Sequence, residues 1–402
     1  MREALLGAAL LCAACANSSH QQKDDARGPA GASAGSGAIG HARIDMPETL
    51  VVAGPPEERA FLDLDETQLF DCGVRAFDAG DWSRSAACFG RLVDAFPASD
   101  HLGAALFNCA LSLERAHRYA DALGRWEADL ERLSKLSNSQ IPSNDQLDAT
   151  FHAAFCEHEL GKLEEAAQRL KALAARTGVP DSRHGEALVQ EAVCLVEKVE
   201  AARRSGERDA SKLEGRGEGE HLLREAIDLY TKAGQDGEAD PALLAQAEFW
   251  IGEIYRSYFD EIRLDPGSGD EKSLLDTLES KAQFLLSAQG HYLRAIRRGD
   301  GEWATASGYR IGELYESLHQ QMIDAPLPPG LTAEQTDVYR EELKKRVRVL
   351  LDKAMKIYAQ TLQTAQRVNA QSDYVKKTNE ALERMRALLV EQAPAGPKAR
   401  TN

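Results

Sequence analysis

From Glu66 onward, apolar-patterned segments of about a dozen residues alternate with short breakers, and each segment carries its apolar residues at the three- and four-residue spacing of a helix. One heptapeptide also returns. Ile251-Gly252-Glu253-Ile254-Tyr255-Arg256-Ser257 recurs as Ile311-Gly312-Glu313-Leu314-Tyr315-Glu316-Ser317 at an offset of 60 residues. Repeated helical units cannot bury their apolar faces one at a time, so they must stack on their neighbours. Composition agrees. Alanine, leucine, glutamate and arginine recur throughout, aromatics make up only 6%, and no stretch reads as a clear β-hairpin. At 402 residues the chain exceeds one ordinary compact domain, which leaves two modules or one elongated array.

The spacing of small and large residues sharpens this. Gly73 is followed by Gly80, Trp82, Ser85 and Ala86, Phe89 and Pro97; Ala110 by His117, Tyr119, Ala122 and Trp126; Ala154 by Gly161, Leu163, Ala166 and Leu170, ending near Pro180. These three copies resemble the tetratricopeptide repeat family, whose unit is a helix pair of about 34 residues with a small residue in each helix, a large one four places later and a closing proline. The resemblance implies an all-α fold of antiparallel helix pairs stacked as an α-solenoid. Within it Gly73, Ser85, Phe89, Pro97, Ala110, Ala122, Trp126, Ala154 and Ala166 are expected to make the repeat packing. Beyond Pro180 the pattern loosens. Asp181 to Arg204 reads as a long helix, Ser205 to Gly219 as a charged Gly-rich break, and His221 to Lys232 as a helix with Ala226 and Tyr230 spaced like the second helix of a pair. Gly252 with Tyr255, and Gly312 with Tyr315, stand as expanded copies with longer helices and loops. Two last helices are expected near Ala333 to Arg367 and Asp373 to Val390.

The amino terminus bears on the compartment. Arg2 precedes an apolar run, Ala4 to Leu11, too short to span a bilayer but suited to the core of a secretory signal. The run reaches Cys12-Ala13-Ala14-Cys15, which resembles the lipobox of bacterial lipoproteins. By that resemblance Cys15 is acylated and becomes the new terminus, because Leu10 and Leu11 are too bulky to stand before Cys12. A plain signal peptide cut near Ala14 and a cytosolic start are the alternatives. Ala16 follows Cys15 in place of the aspartate of the inner-membrane sorting rule, which implies an outer-membrane anchor facing the periplasm. The organisation expected is a signal peptide at 1–14, a flexible tether at 15–62, repeats at 63–180, divergent helical repeats at 181–392 and a tail at 393–402. Gly35 to Gly40 matches G-x-G-x-x-G inside the tether, but with no strand before it and no helix after it the match is discarded as a nucleotide site. Thr49-Leu50-Val51-Val52, closed by Pro55-Pro56, is a short apolar stretch that pairs or packs locally.

Charge narrows the partners. A net charge of −16 opposes nucleic acid and anionic lipid over most of the surface. The segment from Glu341 onward is an exception, with thirteen Lys/Arg against seven Asp/Glu. It reads as a solvated basic helix face, with a docking surface for an acidic partner or lipid as the alternative.

In the family, the first helix of each pair lines a curved inner face. Carried onto this register, Phe70, Phe107 and Phe151 share one groove position and Val74, Leu111 and Phe155 another, with Phe77 beside them. The stripe holds a partner helix or extended segment, or else is core covered by the next repeat or by residues 44–62. The family's carboxylate clamp of lysines and asparagines is absent.

No catalytic residue, metal ligand set, cofactor or small-molecule site is identified. His158-Glu159-Leu160-Gly161-Lys162 lacks the second histidine of H-E-x-x-H, and Asp265 to Glu271 lacks the alternating ligands of a calcium loop. After signal removal and acylation, Cys72, Cys88, Cys109, Cys156 and Cys194 remain. Cys72 and Cys109 are expected to be buried thiols at matching helix positions, and a Cys72–Cys88 bridge requires Cα atoms within about 7 Å. The expectation is a non-enzymatic, membrane-anchored scaffold that binds other proteins in assembling a bacterial envelope machine, whether for outer-membrane assembly, secretion or gliding motility. Alternatives are an accessory of a cell-wall-acting enzyme and a self-assembling spacer.

Overall fold

The computed structural model describes residues 61, 63–136, 139, 141–206, 215–233, 240–264, 271–327 and 330–391. Among the described residues thirteen helices fall into six pairs and a final single helix. The first three pairs are short: α1 (Glu66–Asp78) with α2 (Trp82–Ala95), α3 (Leu102–Arg115) with α4 (Tyr119–Leu136), and α5 (Asn144–Glu159) with α6 (Leu163–Ala174). The next three are longer: α7 (Asp181–Arg204) with α8 (Gly215–Ala233), α9 (Pro241–Glu261) with α10 (Glu271–Arg297), and α11 (Gly301–Asp324) with α12 (Ala333–Arg367). Helix α13 (Asp373–Glu391) closes the array, and there is no strand among the described residues.

Local chemistry sets the boundaries. Asp65 with Gln68, Ser143 with Gln146 and Thr332 with Gln335 form reciprocal capping boxes that satisfy the first free amides of α1, α5 and α12. Asp81 caps α2, Asp300 caps α11, and Asp240 caps α9 just before Pro241 at its first turn. The tight turns within the first three pairs share one geometry. Gly80, His117 and Gly161 take φ of 72°, 58° and 74°. In each, the following amide donates to the carbonyl five residues back, as Asp81 to Ala76, Arg118 to Leu113 and Lys162 to Glu157. Histidine bears the left-handed conformation at a cost that glycine does not. Its imidazole Nδ1 lies 2.7 Å from the Tyr119 hydroxyl, which ties the turn down.

Each helix packs on the next in sequence, and α1 on α3, α5 on α7, α7 on α9, α9 on α11 and α11 on α13 also touch. Side chains join α3 to α5, where His152 meets Glu114. Among the described residues no two even-numbered helices approach comparably. The odd helices therefore form a continuous inner layer and the even ones an outer layer, and the array curves toward the odd side. This is a tetratricopeptide-like α-solenoid.

A small-to-large contact holds each pair together. A Cβ on Gly73 would fall 2.6 Å from the Phe89 ring, on Gly185 2.9 Å from Tyr230, and on Gly252 2.5 Å from Tyr292. Gly312 meets Tyr358 in the same way. Ala110 with Trp126 and Ala154 with Leu170 stand at matching positions within shared core clusters. Four residues before each large side chain lies a small one, Ser85, Ala122, Ala166, Ala226, Ala288 or Ala354, and all six are fully buried. The helices approach closely because both carry small residues there, and the aromatic ring fills the space that remains.

Two expectations are corrected. The Gly-rich stretch before Gly219 is not a break throughout, because α8 begins at Gly215. A Cβ on Gly215 would lie 3.1 Å from Val199, and one on Gly219 2.9 Å from Val196, so these glycines bring α8 close to α7. Between them Arg216 is buried, 2.7 Å from Glu261 and 4.4 Å from the Tyr258 ring centre. Cys72 is not a free thiol. It is bonded to Cys88 across α1 and α2, with Cα atoms 5.9 Å apart, whereas Cys109, Cys156 and Cys194 are free and buried. Cys15, the G-x-G-x-x-G match and the Thr49 to Val52 stretch lie outside the described residues.

Candidate interaction surface

The residues expected to line the groove all lie on α1, α3 and α5, in the inner layer, but most are turned against side chains of their own or the adjoining pair. Phe70 stacks on His101 with ring centres 4.6 Å apart and meets Phe89 edge-on at 5.6 Å. Phe107 packs edge-on against Trp126 at 5.0 Å, and Phe155 against Tyr119 at 5.8 Å. Phe77 meets Trp82 at 5.1 Å beneath the Arg115 guanidinium, and Phe151 lies under Arg183 at 5.2 Å. Leu111 is half-buried, and Val74 alone of the seven is exposed, at 37%. The face therefore offers ring edges between charged and polar groups, not an open apolar stripe.

Buried carboxylates organise the same layer, and no spacing in the sequence announces them. Glu114 accepts from the Trp126 indole at 3.3 Å and lies 2.9 Å from His152 Nδ1, while His152 stacks on Trp126 at 4.7 Å. Three helices thus share one carboxylate. Glu248 plays the matching part further along, 2.9 Å from His291 and 3.0 Å from Arg294. Burial would raise its carboxyl, but hydrogen bonds from His291 and Arg294, and their charges, outweigh it and hold the group below its ordinary value. Glu253 is held low by the same contest: burial opposes its charge, and Arg256 at 3.1 Å, Arg310 at 3.0 Å and the Tyr292 hydroxyl prevail. Such pairs add little net stability but are costly to break singly, so they fix how consecutive pairs seat on one another.

Toward the C-terminal end of the inner layer, a cleft of about 430 Å³ opens between α9, α11, α12 and α13. Phe259, Leu314 and Met385 give it an apolar floor, and Arg256, Glu316 and Arg384 stand among its polar walls. Glu316 accepts from the Tyr358 hydroxyl at 2.9 Å and from Arg384 at 3.4 Å, so its charge is already engaged.

His158 belongs to a structural pair. Its Nε2 lies 2.6 Å from Glu197 and its Nδ1 3.6 Å from Glu159. Burial acts to lower its pKa, but the two carboxylates outweigh this and raise it to about 9. Among the described residues, no group of three or more His, Cys, Asp or Glu is placed to hold a metal ion, and no helix is long and apolar enough to cross a membrane.

No protein-family model matches the chain, and no curated protein matches it. Solved structures do resemble it. A tetratricopeptide repeat protein from Parabacteroides merdae is 12% identical, over 80% of this chain and 98% of that one, at a TM-score of 0.35. A second such protein, from Bacteroides fragilis, is 12% identical over 64% of this chain and 98% of its own, at 0.30. The TPR2AB domain in the pHSP90 complex of yeast Sti1 is 11% identical over 80% and 98%, at 0.25. The class of the protein rests on its own helix order and packing.

Proposed function

We propose that the chain is a lipid-anchored scaffold of the bacterial cell envelope, whose inner, odd-helix face receives segments of other proteins while an envelope machine assembles. The observation that carries the scaffold reading is that face itself: seven consecutive odd helices in one layer, with half-exposed ring edges set between fixed charges. Aromatic edges and arginines are the side chains that anchor protein interfaces. Export is supported by the Cys72–Cys88 bridge, since disulfides persist in oxidising compartments, and by the lipobox-like Cys12-Ala13-Ala14-Cys15. The outward side of α13 favours an adaptor over a self-stacking spacer. Lys376, Lys377, Glu380, Glu383 and Arg386 are exposed there, and a polar face of that kind does not invite another copy to stack on it.

The test compares native protein with a Cys15→Ser variant for acyl mass and membrane partition, followed by crosslinked capture from the anchored form. Acylation and sedimentation of the native protein alone, with defined proteins crosslinked to α1, α3 or α5, support the reading. Two soluble, unmodified proteins would remove the anchor, and crosslinks confined to the even helices would remove the docking face.

A further inference from the structure

The outer layer contains a cleft that the scaffold reading leaves unused. Between α2 and α4, about 680 Å³ of space opens above Leu113. Its walls are small: Ala86 and Gly90 stand one turn apart on α2, and Ala120, Gly124 and Ala128 one turn apart on α4. A Cβ on Gly124 would meet nothing within 4 Å. Three of the corresponding seams are filled from within. Three residues after the small position of the first helix, α5 carries Glu157, bound to Arg169 at 2.6 Å, and α9 and α11 carry Tyr255 and Tyr315. Their hydroxyls reach Glu220 at 3.0 Å and Gln289 at 2.9 Å on the neighbouring outer helices. Only in the second pair does the matching residue, Leu113, leave the seam with room to spare among these.

One group from outside the helices already sits in this cleft. Phe61 lines it, is 7% exposed and belongs to the first hydrophobic cluster. Phe61 precedes α1 by only a few residues, so the chain that leads to it is tethered within reach of the cleft. We infer that residues 48–54, Glu48-Thr49-Leu50-Val51-Val52-Ala53-Gly54, occupy the α2/α4 cleft of their own chain, with Phe61 as the inner end of the same docked segment.

Shape, reach and charge agree. Glycine and alanine walls admit a backbone at close approach, and short branched side chains fill shallow space where aromatic rings would not fit. Val52 and Phe61 are nine positions apart, a reach of about 30 Å fully extended, ample for a cleft spanning two to three helical turns even when Pro55-Pro56 bends the chain. Asp45, Glu48, Glu57 and Glu58, with Arg43 and Arg59, flank the apolar residues, and Arg91 stands on the rim beside the Arg118–Asp121 and Arg125–Asp94 ion pairs. The segment that leads to the amino terminus would then leave from the outer layer, keeping the inner face open on the far side. The inference stands apart from the anchor, because it makes the same predictions for unacylated protein.

Hydrogen exchange and cysteine labelling of the intact chain test it, with Cys109, which lines the cleft, as the reporter. Residues 49–53 of the native protein are expected to exchange about tenfold or more slowly than a free peptide of that sequence. Leu50→Asp with Val52→Asp is expected to abolish that protection and to speed thiol labelling of Cys109, leaving helical circular dichroism unchanged. Labelling of Cys156 and Cys194, buried elsewhere, must not rise, which separates opening of the cleft from unfolding. Exchange of residues 49–53 at the free-peptide rate in native protein would overturn the inference. So would Cys109 labelling that the double substitution leaves unaltered.

Discussion

Tyr292 stands so close to Gly252 that a methyl group on the glycine would lie 2.5 Å from the ring, although the two residues are 40 positions apart and on different helices. The same contact joins Phe89 to Gly73 at a separation of 16, so one packing rule spans short and expanded pairs alike. Four of the six pairs use glycine at this point and two use alanine.

Gly252→Ala is therefore expected to destabilise the protein by about 1–3 kcal/mol through overpacking. Combined with Tyr292→Leu, the glycine substitution should cost much less than it does alone, because the smaller side chain makes room. Urea denaturation of the two single variants and the double variant measures the coupling, and additive losses would show that the contact does not limit the approach.

Trp126 is fully buried and donates to Glu114. Trp126→Ala is expected to cost about 3–5 kcal/mol from lost burial and the remaining cavity, with a further loss where Glu114 gives up one of its hydrogen bonds and keeps only His152. Trp126→Phe should recover most of the packing but not the hydrogen bond. Thermal unfolding should rank native above Trp126→Phe and that above Trp126→Ala.

Cys72 and Cys88 close a loop with a sequence separation of 16. Peptide mapping without reductant is expected to find these two cysteines joined and Cys109, Cys156 and Cys194 free. Replacing the pair with alanine should lower stability by about 3 kcal/mol, the entropy of closing a loop that long in the unfolded chain. Recovery of Cys72 and Cys88 as free thiols from protein purified under oxidising conditions would contradict the bridge.

Glu191 is buried on α7, and burial first, with nearby Glu218 and Glu225, raises its carboxyl to about 7 despite Lys171. The folded protein thus holds this proton more tightly than the unfolded chain does. The gain is present below the ordinary carboxyl range and is lost as pH rises through 7. Glu191→Gln, which mimics the protonated form, should be more stable than native at pH 8 by an amount on the order of 1 kcal/mol, with little difference at pH 4. Equal effects at both pH values would remove the charge explanation.

The inner face calls for different substitutions from those that position alone would choose. Phe107→Ser is expected to lower stability by about 2 kcal/mol or more, since the ring packs on Trp126. Val74→Asp, at an exposed site on the same layer, should leave the melting temperature nearly unchanged while reducing capture of proteins crosslinked to α1.

The features legible in the order of residues alone are local. Helix periodicity, capping residues and turn glycines act within a few positions, so α7, with its ends at Asp181 and Arg204, and α12, with its ends at Ala333 and Arg367, were legible, as were the first three small-to-large spacings. Tertiary structure decided what depends on partners far along the chain. Gly252 and Gly312 were visible as repeated positions, but Tyr292 and Tyr358 were not visible as their partners, because longer helices and loops break the constant offset of 16. Gly215 and Gly219 read as a break because glycine disfavours isolated helix, and only the nearness of α7 makes their missing side chains useful. The phenylalanines of the inner face were placed on the right helices, yet how far each ring turns into a seam depends on its neighbour in the next pair. Periodicity assigns a residue to a face of its helix; burial is set by the helices stacked against that face.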